Sequence, residues 1–163
     1  MDVLERFAPG FKILTIEELS VSRDFALLWT LFEAQVLDTH ASASKIKEKS
    51  KEWFDCGLLE ERFWVEHLNY FKDRYVTNGS TNHRFEALNL RKGDIPELVK
   101  NVMLGVNQDT TDNLAVCLII ILRFRNNFFH GLKWAYGMQD QRQNFEMAIN
   151  LICICMERFA RPN

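Results

Sequence analysis

An all-α helical bundle is the fold this sequence predicts, and three observations predict it. Apolar residues recur at i, i+3, i+4 and i+7 over most of the chain. Nine consecutive apolar residues, Leu114 to Leu122, are framed by helix-capping and helix-ending residues, as in a rod buried on all sides. No stretch alternates as a half-buried strand would, and only Phe85 to Leu90 is ambiguous. Residues 1–163 read as one domain of about five to six helices, long enough to bury a core without staples.

The elements follow in order. Phe25, Leu28, Trp29, Phe32 and Val36 line one face behind Ser22, a good N-cap, and predict a helix from about Arg23 to Asp38. Ala41 to Phe54 is polar and lysine-rich, and ends near Asp55-Cys56-Gly57. Phe63, Trp64, His67, Leu68, Tyr70, Phe71 and Tyr75 build a third, aromatic helix. Val76 to Arg84 is a cluster of turn residues and is expected to be a flexible loop. Asp94-Ile95-Pro96-Glu97 opens a short helix with an N-cap, an early proline and a capping-box Glu, and Ile95, Leu98, Val99, Val102 and Val106 form its stripe. Gly105 and Asn107-Gln108-Asp109 close it, and Thr110 or Thr111 caps the long apolar helix. A last helix, from about Gln139 to Arg158, carries Phe145, Ala148, Ile149, Ile152, Met156 and Phe159 on one stripe and Met147, Leu151 and Ile154 on another. A face that wide has room for a second subunit as well as its own core.

Composition excludes several classes. Hydrophobic residues at 47% and charged residues at 26% rule out a largely disordered chain. A net charge of -2 argues against holding polyanions through the whole field of the protein, so any nucleic-acid site must be local. Cys56, Cys117, Cys153 and Cys155 lack zinc spacing and read as buried thiols in a reducing compartment. His40, His67 and His83 have no ligand-spaced companion, and no phosphate-binding glycine loop or nucleophile elbow appears, so neither a metal nor a cofactor is expected. Met1 to Pro9 lacks the pattern of a secretory signal, and no apolar run reaches the length of about 18 residues that a membrane span needs. A cytoplasmic protein without membrane contact is the expectation, and Asn78-Gly79-Ser80 is then a turn.

The residues after the apolar run carry the functional signal. Arg123-Phe124-Arg125-Asn126-Asn127-Phe128-Phe129-His130-Gly131 sets permanent cations beside a side chain that exchanges protons near neutral pH. In a straight helix Arg125 and His130 lie about 140° apart, so they share a site only if the helix bends or ends between them, or if two subunits meet there. Asn126 and His130 are i, i+4 neighbours, which suits the amide to fixing the imidazole. The bland alternative is an Arg and a His satisfying a helix C-terminus. Against it stand two adjacent Asn, poor helix formers, where Ala or Leu would stabilise more. Glu33, flanking the first helix's stripe, is a candidate to orient Arg125 or His130. Lys133 and Trp134 are candidates to hold a phosphate and stack a base, and Arg91-Lys92 and the lysines from Lys45 to Lys51 are further cationic candidates.

The segment Arg125 to Gly131 resembles the R-x4-6-H signature of the HEPN superfamily, with the favoured polar residue, Asn126, directly after the Arg. The wider phrase Leu122 to Lys133 is similar to the R-N-N-x-F-H-G-x-K form of HEPN proteins in prokaryotic defence and toxin systems, and Leu28-Trp29-Thr30-Leu31-Phe32-Glu33-Ala34 resembles a W-x-x-F-E pattern of that branch. The resemblance implies a small helical bundle that dimerises with both motifs in one composite cleft. It further implies metal-independent RNA cleavage, with His130 moving a proton, Arg125 stabilising phosphoryl charge and Asn126 supporting, in a toxin–antitoxin or antiviral setting with an antitoxin or activating partner. Arg123 offers a second frame, R-x6-H; Arg125 is preferred because Asn126 follows it, leaving Arg123, Asn127, Lys133 and Glu33 as supporting or substrate-contacting residues. Where some HEPN toxins carry a Tyr two places after the His, this chain has Leu132.

Overall fold

A computed structural model describes Arg6, residues 13–129 and residues 141–160. The all-α class holds. The described residues form helices α1 (Ile16–Gln35), α2 (Ala43–Asp55), α3 (Val65–Tyr75), α4 (His83–Glu86), α5 (Pro96–Met103), α6 (Thr110–Phe129) and α7 (Arg142–Phe159), with a 3-10 turn at Lys92–Asp94. Strands β1 (Val76–Thr77) and β2 (Ser80–Thr81) form one antiparallel hairpin.

The apolar run makes α6 the axis. Every residue from Leu114 to Leu122 is buried, because α2, α3 and α5 all pack on this helix. Helix α1 lies along α7, where Phe25 stacks on Phe145 with ring centroids 4.8 Å apart. Phe128 meets the same Phe145 ring edge-on at 5.8 Å and so ties the end of α6 to that pair. Trp53 of α2 stacks on Phe159 of α7 at 3.9 Å. Such aromatic pairs add about 0.5–1.5 kcal/mol each beyond the area they bury.

Several boundaries depart from the sequence expectation, each for a local reason. Helix α1 starts at Ile16, before Ser22, because Thr15 and Glu18 form a reciprocal capping box (Thr15 Oγ1 accepts from the Glu18 N–H, 3.1 Å; Glu18 Oε2 from the Thr15 N–H, 2.8 Å). Ser22 is instead a buried helical residue whose hydroxyl donates to the Glu18 carbonyl. The helix ends at Gln35, short of Asp38, since Asp38 and Thr39 both turn into left-handed backbone. Val76 to Arg84 is no loose loop: Asn78 and Gly79 take positive φ (51° and 73°), the pair of angles a two-residue hairpin turn requires. Phe85 lies in α4 and not in a strand. Asp109, not Thr110 or Thr111, caps α6, its Oδ1 accepting from the N–H groups of Thr111 and Asp112. Val106 falls beyond α5 and is exposed. Cys117 and Cys155 are buried, which raises both thiol pKa values, whereas Cys56 is exposed and Cys153 half-buried. Among the described residues no helix is long and apolar enough to cross a membrane.

A buried histidine links α3 to α7: His67 Nε2 lies 2.8 Å from Asn150 Oδ1. Burial holds its imidazole below the ordinary value of 6.5, although Asn150 and the charge of Glu66 oppose the shift. The unfolded chain therefore takes up this proton at a higher pH than the folded one. The resulting stability is complete above about 6.5 and is lost as pH falls towards the folded value. Urea midpoints measured between about pH 8 and pH 5 should fall less in His67→Gln than in the wild type; parallel losses would show that His67 contributes nothing to acid sensitivity.

Candidate functional site

The last two turns of α6 send their side chains to three different places. Phe124 and Phe128 point into the core, where Phe124 meets Phe71 at 5.9 Å and Phe128 meets Phe145. That anchoring fixes the helix rotation. Arg123 and Asn127, one turn apart, share the face towards the segment after α4, while Arg125, about 200° around from Arg123, turns towards α1.

Arg123 is held inside the protein, with its side chain only 1% exposed. Its Nη1 lies 3.2 Å from Asp94 Oδ2, its Nε donates to the Leu88 carbonyl (3.2 Å), and its Nη2 donates to Asn127 Oδ1 (3.1 Å). Asn127 Nδ2 donates to the same Leu88 carbonyl at 3.1 Å, and Asp94 Oδ2 accepts from the Arg91 N–H at 2.7 Å. Burial works against the Arg123 charge and Asp94 supports it. The planar fork of an arginine suits three partners in three directions. Asp94, expected to cap α5, is used here instead, and α5 starts behind Ile95 in left-handed backbone with Pro96 at its first turn.

Arg125 is about one third exposed and meets two residues that the sequence had marked. Its Nη1 donates to Asn126 Oδ1 at 3.0 Å, and its Nη2 lies 3.7 Å from Glu33 Oε2. Glu33 is itself fixed: Oε2 accepts from the buried indole N–H of Trp29 (3.1 Å) and Oε1 from the Ala41 N–H (3.1 Å). The turn that delivers Ala41 is shaped by Asp38 and Thr39, with φ of 53° and 64°. Its Asp38 carboxylate is 3.1 Å from both Lys45 and Lys49, whose hydrogen bonds hold it below the usual carboxylate range. Trp29, Phe32 and Glu33 thus all serve one end of the bundle: two rings in the core and one carboxylate at the guanidinium.

His130, Gly131, Lys133 and Trp134 lie outside the described residues. Of the remaining candidates, Arg125, Asn126 and Glu33 come together, while Arg123 and Asn127 form a separate inward cluster. No local pattern announces Asp94 or the Leu88 carbonyl as partners of Arg123, because they lie 29 and 35 residues away along the chain.

Removing one member of a buried ion pair leaves the other charge uncompensated, at a cost of about 3–5 kcal/mol. Asp94→Ala should lose stability of that order in urea denaturation; a loss within about 0.5 kcal/mol, the range of an ordinary surface change, would mean that Arg123 does not depend on it.

No family model matches the chain, and neither a curated protein nor a solved structure does.

Proposed function

We propose that this chain is a HEPN-type endoribonuclease that works as a homodimer without a metal cofactor, in the cytoplasm, in a toxin–antitoxin or antiviral setting. The observation that carries the reading is the setting of Arg125. A guanidinium at the end of the motif helix stays partly exposed while Glu33 and Asn126 fix two of its nitrogens. A cation already oriented needs little reorganisation when charge develops on a phosphoryl group.

In the proposed reaction the ribose 2′-oxygen bonds to the adjacent phosphorus as the bond from phosphorus to the 5′-oxygen breaks. The 2′-hydroxyl loses its proton, the leaving 5′-oxygen gains one, and the products are a 2′,3′-cyclic phosphate and a 5′-hydroxyl. His130 has the chemistry to move the proton, and Arg125 to hold the phosphoryl oxygens, with Asn126 orienting the guanidinium. Leu27 and Leu31, exposed one turn apart on the outer face of α1, support a second copy packing on that helix. An antitoxin or activating protein is a natural partner for such a site.

A second reading, a HEPN-fold module that binds RNA, a nucleotide or a protein without cutting, is favoured by the Glu33 carboxylate beside Arg125 and by the net charge of -2. Incubation with a panel of RNAs in EDTA separates the two. His130→Ala and Arg125→Ala should each slow cleavage by about 10²–10⁴-fold while leaving the urea midpoint near that of the wild type. Undiminished cutting by His130→Ala would remove the mechanism, and binding without cutting by the wild type would establish the second reading.

A further inference from the structure

We infer that the turn carrying Arg91 and Lys92 is a phosphate-docking rim of the same site, binding the backbone of single-stranded RNA beside the end of α6. The inference builds on the ribonuclease reading and names where its substrate lies.

Three elements meet at this end of the bundle. The 3-10 turn Lys92–Asp94 packs against α2, and Asp94 and Leu88 are joined to α6 through Arg123 and Asn127. Arg123 precedes Arg125 by two residues, so the turn and Arg125 occupy opposite flanks of the same helix end, with Asn126 between them. Arg91 and Lys92 are exposed, and among the described residues neither has a carboxylate within ion-pair distance. The one acid in the turn, Asp94, faces inward and is paired with Arg123, so what the turn shows to solvent is cationic. Glu86 and Glu97, on α4 and α5, are exposed and pair with neither cation.

Two features suit the turn to a polyanion. Asp94 ties it to Arg123 of α6, the Arg91 N–H closes it on Asp94, and the chain leading into it is held at the Leu88 carbonyl by Arg123 and Asn127, so its cations are presented without ordering a loop at each encounter. Gly93 adds open space: apart from itself, its two chain neighbours and the backbone of its own turn, no residue comes within 4 Å of the position a Cβ would take, leaving room for a nucleic-acid backbone to approach the main chain. An acidic protein needs local cations of this kind to hold RNA at all.

The test measures binding of a fluorescein-labelled single-stranded RNA by anisotropy across a salt titration, in the His130→Ala background so that the probe survives. Each single-strand phosphate contact contributes about 0.7 to the slope of log affinity against log salt. Arg91→Gln/Lys92→Gln should lower that slope by about 1.4 with an unchanged urea midpoint, while Arg62→Gln, beside the Glu61–Arg158 pair and the Trp53–Phe159 stack at the other end of the bundle, should leave it unchanged. An unchanged slope in the double variant, an equal fall in Arg62→Gln, or poly-glutamate bound as tightly as RNA and lost in the same double variant would each overturn the rim. Cleavage by the wild type with an unaltered slope in the double variant sinks the rim alone; absence of cleavage with the expected change of slope sinks the ribonuclease reading alone.

Discussion

A guanidinium sealed inside the protein organises everything around the end of α6. Arg123 has water on almost none of its surface, so each N–H direction must find a protein partner or cost free energy. Asp94 supplies charge, the Leu88 carbonyl and Asn127 supply acceptors, and the three together tie residues 88–94 to a helix they do not neighbour in the chain. Because Phe124 and Phe128 fix the helix rotation from the core side, the same arrangement decides where Arg125 points. Lysine at 123 would offer a single charged centre in place of a planar fork and would leave part of this set unanswered.

Two arginines separated by one residue therefore have unlike environments. One is buried and fully committed to the fold; the other is partly open and oriented by Glu33 and Asn126. The Glu33 carboxylate is an ambivalent neighbour. It aligns the Arg125 guanidinium, and it also competes with any phosphate for that charge. The same carboxylate also accepts from the Trp29 indole and the Ala41 N–H, and Arg125 approaches it at 3.7 Å.

Much of this was legible in the sequence wherever the cause is local. The all-apolar run of α6, the aromatic face of α3 and the glycine after α2 follow from periodicity and backbone preference, and the long helices form where periodicity predicts them, whereas the short α4 falls across the predicted loop and the one ambiguous stretch. The start of α1 was also local, in Thr15 and Glu18, but Ser22 offered a second plausible cap nearer the apolar stripe. Asn78-Gly79 sits within a cluster of turn residues that masks what the pair itself signals, a two-residue hairpin turn. The meeting of Glu33 with Arg125 was suggested by residue type and then realised across 92 positions, whereas the use of Asp94 by Arg123 was not, since its N-cap position before Pro96 gave it a sufficient local explanation.

The pairing of α1 with α7 sets the order in which this protein is completed. Phe25 and Phe145 are 120 positions apart, and closing so long a separation weighs on folding speed more than on final stability. During synthesis α1 leaves the ribosome early and waits with one aromatic face uncovered until α7 follows. Arg125 precedes Phe145 in the chain, so the partner of Glu33 is synthesised before the ring that closes on Phe25.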